Sequence, residues 1–275
     1  MQTLTFGSIT VDAVSDGELF LPFARMFPGA DPDAFARHGG INGEAISAPL
    51  TTFIVRAPGR TILVDTGIGA DLGSLGRFGF GGACGQLPAA LATAGVDPAS
   101  VDTVVSTHLH SDHIGWNVTV GDEPRPLFPN ARYIVSSTEW AYWSATTDST
   151  VARCVRPLER SGHLELVPDD HVVAPGVSLL PTPGHTPGHV SVLVFDGGDG
   201  GVITGDAAHH PAEMENPEMS PAFDADPALS AASRRALVER VEAEGLVVIG
   251  GHFPPPTAGR VVRVGQRRAW RWLGT

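Results

Sequence analysis

The sequence predicts a mixed α/β protein in which short buried strands alternate with helices and hand polar side chains to loops at their ends. Three observations support that class. Short apolar runs bounded by glycine or proline recur along the chain, as at 177–180, 202–203 and 246–249, which is the pattern of buried strands. One long stretch, Pro227–Glu244, has helical periodicity and signals for both of its ends. Histidine or aspartate follows several of the apolar runs.

Taken in order, Leu4–Phe6 and Ile9–Val14, separated by Gly7, read as an opening hairpin. Phe20, Phe23, Met26 and Phe27 then fall in a Gly/Pro-containing segment. That segment is expected to fold over a site as an apolar lid, to make a dimer contact, or to pack over the sheets. Thr51–Val55 and Thr61–Val64 flank the turn signal Pro58-Gly59. A short helix over Pro88–Thr93 is stopped by Gly95, and Val101–Ser106 and Arg132–Val135 are strands. A helix follows around Glu139–Ala145, where the spacing of Trp140 and Trp143 predicts core positions. The helix at Pro227–Glu244 has Asp226 as its N-cap, proline in its first turn and Gly245 after its end. Leu229, Ala232, Ala236, Leu237 and Val241 form its expected apolar face.

Residues 108–113 read His-Leu-His-Ser-Asp-His. His108 and His110, two apart at the end of a strand, point to one side. Asp112 and His113 follow at once, and a turn there directs them to a second point about 3.5–4 Å away, the usual separation in two-metal sites. Further ligand-type residues stand after three other apolar runs: His185 after Val177–Leu180, Asp206 after Val202-Ile-Thr-Gly, and His252 after Leu246-Val-Val-Ile-Gly-Gly. Each alone is more often a satisfied core residue. Four clusters of ligand type, all at strand ends, indicate a metal site. Trp116 and Asn117 directly follow the motif and are candidates, with Phe20 and Phe23, for the walls of a substrate pocket.

Composition narrows the function classes. The 275 residues are 42% hydrophobic, enough for one substantial core. No linker-like segment or charge block divides them, so residues 1–275 read as one domain. The net charge is −12 and every cation is an arginine, which argues against nucleic-acid and anionic-membrane partners. No basic segment precedes a long apolar run at the N-terminus, and no stretch approaches about twenty apolar residues, so neither a signal peptide nor a membrane span is expected. Cys84 and Cys154 lie outside any metal-ligand spacing and read as reduced thiols of a cytoplasmic protein, a disulfide being the alternative.

The series HxHxDH, His185 within TPGHTPGH, Asp206 within TGDA and His252 within GGH resembles the metallo-β-lactamase superfamily in order and spacing. Leu63-Val-Asp-Thr-Gly67 resembles that family's DTG element, so the likeness spans nearly the whole chain. It implies a four-layer αββα sandwich with a dinuclear site at one edge. Carried over by position, His108, His110 and His185 bind one metal, Asp112, His113 and His252 bind the other, and Asp206 bridges them. Asp65 orients a ligand imidazole, and His189 supports the site without binding metal. The implied cofactor is a pair of divalent ions, zinc first given nitrogen and oxygen donors with open positions, then iron, manganese or cobalt. Such a pair lowers the pKa of a bridging water and polarises the bond it attacks. Asp112, a ligand, is also implied as the proton carrier to the leaving group.

Asp206-Ala-Ala-His-His-Pro, Phe223-Asp-Ala-Asp226 and Phe128-Pro-Asn-Ala-Arg-Tyr resemble the branch holding methyl parathion hydrolase and N-acyl homoserine lactone lactonases. That branch implies opening of a small-molecule lactone or a related ester, with phosphotriester hydrolysis as the alternative, and a homodimer. The chain departs from it at His209, where some lactonases carry a tyrosine three residues past the bridging aspartate. His209 is a candidate contact to the substrate oxygen, or else a loop cap; His210 reads as structural or solvated. A glyoxalase II would bring a GDTLF-like stretch and basic residues for glutathione, and many β-lactamases grip the drug carboxylate with a lysine, which this chain lacks. A metal-binding protein without hydrolytic activity is the alternative from a different class.

Overall fold

Why the central strands read as unbroken apolar runs is clear in the computed structural model, which describes residues 3–70 and 81–274. Each strand is buried on both faces, so successive side chains enter different cores. Among the described residues one sheet is built from β1 (Thr3–Phe6), β2 (Ile9–Pro22), β3 (Ile41–Asn42), β4 (Ala45–Ala57), β5 (Arg60–Val64), β6 (Gly81–Ala83), β7 (Thr103–Val105), β8 (Arg132–Ser136) and β9 (Leu164–Val167). The second holds β10 (Val172–Ala174), β11 (Val177–Pro181), β12 (Val190–Asp196), β13 (Asp199–Ile203), β14 (Val247–Ile249), β15 (Ala258–Val264) and β16 (Arg267–Trp272).

Phe53, Val55, Ile62, Val64, Val105 and Ile134 face Val177, Leu179, Val192, Val194, Ile203 and Ile249 in a core between the sheets. Their neighbours Ile54, Leu63, Val104 and Tyr133 point outward, onto Leu87, Leu91, Trp140, Cys154 and Leu158 of the helical segments. On the opposite outer face Val202 and Val248 meet Leu237, Val238 and Val241 of the helix Pro227–Glu244. Helix, sheet, sheet, helix is the expected four-layer order. β5, β7, β8 and β9 pair in parallel, as do β13 and β14. The carboxyl ends of β5 and β7 in one sheet, and of β13 and β14 in the other, therefore open at one edge, where α/β proteins gather their functional loops.

Three expectations need correction. β2 does not stop at Val14 but runs to Pro22 across an irregularity between Ser15 and Gly17, and pairs with β4 throughout. Much of the supposed lid is thus strand, and period-two alternation buries Leu19 and Leu21 while leaving Phe20 38% exposed. Phe23 packs edge-on against Phe35, with ring centroids 4.9 Å apart, in a separate apolar cluster with Phe27. The helix Pro227–Glu244 has the expected ends: Asp226 accepts from Leu229 N at 3.0 Å, and Gly245 is left-handed, a cap worth about 1 kcal/mol. Its buried face, however, is Ser230, Ala231, Arg234, Leu237, Val238 and Val241, with Leu229 exposed. The face is rotated because Ser230 and Arg234 find hydrogen-bond partners inside. No helix of the described residues is long and apolar enough to cross a membrane.

Candidate metal centre

The first loop of the site is set by Asp65, at the end of β5. Its backbone is left-handed at φ 59°, a costly conformation for a residue with a side chain. Hydrogen bonds from Asp65 N to Val105 O and from Thr66 N to His113 O hold it there. Asp65 accepts from Thr107 N at 2.8 Å, from Thr107 Oγ1 at 2.9 Å and from His113 Nδ1 at 2.8 Å. Because the Thr107 hydroxyl spends its hydrogen on Asp65, it accepts from His108 Nδ1 at 3.1 Å. One carboxylate thus leaves both His108 and His113 with Nε2 bare. A helical turn at Ser111–Ile114 brings Asp112 and His113 round beside His108.

Two further imidazoles are fixed in the same sense. His185 Nδ1 donates to Asp224 Oδ1 at 3.0 Å and His252 Nδ1 to Pro49 O at 2.7 Å, so each points a bare Nε2 inward. Glycine lets two of these loops close up. A Cβ on Gly184 would lie 2.1 Å from Ser230 N, and one on Gly205 2.7 Å from His189 Nε2. His189 itself donates from Nδ1 to Thr182 Oγ1, while its Nε2 accepts from Asp206 N at 2.9 Å. It supports the backbone of the aspartate and does not join the donor groups.

Two groups of donor atoms result: His108, His110, His185 and Asp206; and Asp112, His113 and His252, with the atoms of each group within 4.8 Å of one another. Asp206 faces both. Its Oδ2 lies 3.6 Å from His108 Nε2 and 3.2 Å from His185 Nε2, and its Oδ1 lies 3.3 Å from both His113 Nε2 and His252 Nε2. His110 Nδ1 is 3.0 Å from His108 Nε2 and 2.9 Å from His185 Nε2. Asp112 Oδ2 stands 3.8 Å from His113 Nε2 and 3.6 Å from His252 Nε2.

This arrangement fits divalent cations on its own chemistry. His113 Nε2 and His252 Nε2 oppose one another at 3.2 Å with their Nδ1 hydrogens already committed elsewhere. Two lone pairs at that distance repel unless a proton or a cation lies between them. Asp206 Oδ1 is buried without a hydrogen-bond partner, which is costly for an anion unless it meets positive charge.

Protons and cations compete for these atoms. Burial holds His108 well below the ordinary imidazole range, and burial with the neighbouring His185 takes His110 down to about 3. Burial opposes charge on His113 too, but Asp206, Asp65 and Asp112 outweigh it and push His113 well up; Asp206 and Asp224 likewise outweigh burial and raise His185. Cations must expel those two protons. Affinity is therefore expected to climb as pH rises from 6 through neutrality, and binding to release protons, read by calorimetry in buffers of different ionisation enthalpy. Uptake with no proton release would refute this ordering.

The centre floors a cavity of about 230 Å³ walled by Leu19, Leu21, Met26, Ala48, Leu109, Trp143 and Phe223. His209 joins it, with Nε2 3.1 Å from Asp206 Oδ2. Of the expected wall residues, Phe20 and Phe23 turn away, as their strand phase and aromatic cluster require. Trp116 and Asn117 are buried behind the motif: Trp116 Nε1 donates to Asp16 Oδ1 at 2.8 Å, and Asn117 Oδ1 accepts from Thr66 Oγ1 at 2.9 Å. Trp143, expected in the core, packs against it while also lining the cavity, edge-on to His110 with ring centroids 5.5 Å apart. His210 is structural, capping the helix Pro211–Glu215.

Sequence reasoning missed the carboxylates behind these loops. Glu139 accepts from Leu109 N, Gly188 N and Trp143 Nε1 at 3.0, 3.0 and 2.7 Å, tying two ligand loops to the cavity wall. Glu213 accepts from the backbone of His209 and His210, and Asp224 from His185. Only a Phe-Asp-Ala-Asp stretch hinted at Asp224; the glutamates carried no local signal.

Comparison with known proteins agrees with this geometry. The chain is 31% identical over 232 residues to an N-acyl homoserine lactonase of Bacillus sp., covering 78% of this chain and 87% of that protein. Its fold matches the crystal structure of hydrolase AbOPH in the beta lactamase superfamily, with TM-score 0.85, 22% identity and 99% and 97% of the two chains covered. It also matches AidC, described as a dizinc quorum-quenching lactonase in complex with the product N-hexnoyl-L-homoserine, with TM-score 0.83, 18% identity and 100% and 97% covered. The profile of the Metallo-beta-lactamase superfamily matches residues 49–252, from β4 to the last histidine of the centre, and the chain belongs to that superfamily.

Proposed function

We propose that the chain is a dinuclear metal-dependent hydrolase that opens the ring of N-acyl homoserine lactones. The observation that carries this reading is the pair of donor groups sharing Asp206 at the floor of an apolar cavity. The lactonases to which the chain is similar supply the substrate class. His108, His110 and His185 would hold one divalent cation and Asp112, His113 and His252 the second, with Asp206 between them; zinc suits these donors. When bound, such a pair supplies Lewis acidity and a water that ionises near neutral pH.

The chain's own residues do the rest. Asp65, Asp224 and the Pro49 carbonyl keep the imidazole tautomers that aim Nε2 inward. Leu19, Leu21, Met26 and Phe223 offer an apolar wall for an acyl chain. His209 Nε2, at the cavity face of Asp206, is placed to hydrogen-bond a substrate oxygen. Asp112 is the proton carrier. Among the described residues the cavity is lined by no arginine, and the chain has no lysine. A neutral lactone suits that lining better than a β-lactam or glutathione thioester, whose carboxylates would need a cationic anchor.

The test is a panel assayed with zinc-, manganese- and cobalt-loaded protein: acyl-homoserine lactones, unsubstituted γ-lactones, a paraoxon-type triester and a β-lactam. Acyl-homoserine lactones should give the highest kcat/KM, at least tenfold above unsubstituted γ-lactones. Turnover of the triester or β-lactam without turnover of any lactone would overturn the substrate assignment. No hydrolysis of any member by fully loaded protein would overturn the enzyme reading.

A further inference from the structure

We infer that Arg234, outside both donor groups, is a positioning residue that locks His185 and His209 in place around Asp206. This rests on the metal-dependent reading above and adds a residue that touches neither cavity nor donor atoms. Arg234 is wholly buried on the helix Pro227–Glu244. Its Nε donates to Ala207 O at 2.6 Å, Nη1 to Pro217 O at 3.0 Å and to Met219 O, and Nη2 to Ser230 Oγ at 3.0 Å. The same Nη2 stands 3.5 Å from Glu213 Oε1 and 3.5 Å from Asp224 Oδ2.

Three of these contacts, those to Ala207, Glu213 and Asp224, lead to elements of the centre. Ala207 directly follows Asp206. The other oxygen of Asp224 accepts from His185 Nδ1, and the other oxygen of Glu213 accepts from the backbone N–H of His209 at 2.7 Å. One planar guanidinium therefore fixes three chain segments that reach the centre by different routes. Neither Glu213 Oε1 nor Asp224 Oδ2 has a hydrogen-bond partner; Arg234 is the cation that stands between both, while His209 Nδ1 lies 3.8 Å from Glu213 Oε1 on its other side. Without it, two buried carboxylates would lose the one permanent charge that stands between them, and the residues they hold would shift as they separated. Lysine cannot substitute, since a single ammonium lacks the fork that reaches acceptors on three sides.

The experiment compares cobalt(II)-loaded wild-type protein with Arg234→Lys, Ser230→Ala and the charge-balanced double variant Arg234→Met/Glu213→Gln. The readouts are the visible absorption bands of cobalt, zinc affinity by chelator competition, and kcat and KM separately. Arg234→Lys should change the cobalt bands, weaken zinc binding at least tenfold and lower kcat at least tenfold with KM within threefold. Ser230→Ala, which removes one acceptor and leaves the core intact, should shift the bands in the same direction by less. The double variant should fold yet keep an altered spectrum, because balanced charge does not restore position. Wild-type bands in these variants, with zinc affinity within twofold, would overturn the inference and leave Arg234 a structural ion. Altered bands in a protein that hydrolyses nothing would uphold the positioning role and refute the hydrolase. Wild-type protein that binds no cobalt would refute both.

Discussion

Asp206→Asn is expected to reduce bound divalent metal from two ions to one or none per chain and to lower kcat/KM at least a thousandfold. The two oxygens of Asp206 are not equivalent. Oδ2 turns toward His108, His185 and His209, and Oδ1 toward His113 and His252. An amide of the same shape keeps one oxygen, so one donor group loses the oxygen of residue 206 whichever way the side chain turns. The NH₂ then faces the cation that group would hold, where it repels, or hydrogen-bonds a bare imidazole Nε2 and takes it away from the metal. The charge matters as much as the shape. Burial disfavours the Asp206 anion, yet His113, His252, His209 and His108 outweigh it and hold the carboxyl well below its usual range. Asparagine removes the one negative charge shared by both groups. Metal analysis and steady-state kinetics on the same preparation check this. Two bound ions and turnover within tenfold of wild type would show that Asp206 does not join the groups.

How far the centre could be read from sequence depended on whether its parts lie close together along the chain. His108, His110, Asp112 and His113 are contiguous, and short β-ends deliver His185, Asp206 and His252, so these seven stood out together. Asp65 was found through its DTG neighbours. The layer order was expected from the family resemblance, and strands apolar on both faces agree with it. The cavity wall was missed because it depends on strand phase. β2 continues past Ser15 and Gly17, and one register step decides whether Leu19 and Leu21 or Phe20 faces the site. The rotated face of the helix Pro227–Glu244 has a related cause. An apolar count places Leu229 inside, whereas the hydrogen bonds of Arg234 turn the helix so that Ser230 and Arg234 are buried instead. Glu139, Glu213 and Asp224 look like ordinary acidic residues until the chain folds. Their meaning lies in partners 30 or more residues away, or in backbone amides that no local pattern shows.

The second large effect is expected at Asp112, and it separates binding from chemistry. Asp112 lies on the short helical turn at the cavity edge and is less buried than the histidines it accompanies. Burial would raise its carboxyl, but His113 and His252 outweigh burial and hold it below the usual carboxylate range. It is therefore an anion at neutral pH, and in the proposed reaction it would take up a proton and pass it to the departing alkoxide. Asp112→Asn leaves His113, His252 and Asp206 in place. The second cation it would help to hold should bind at least about 10- to 100-fold more weakly, since losing a direct anionic donor costs no less than losing a partner behind a ligand. With zinc raised until both ions are bound, kcat should still fall roughly 10²- to 10⁴-fold, the range for a lost acid–base group, while KM stays within a few fold. Raising the pH should not recover the loss, since an amide has no proton-accepting state to restore. A zinc-saturated variant with kcat within threefold of wild type would make Asp112 a ligand alone and move proton transfer to another residue of the cavity, His209 being the nearest choice by position.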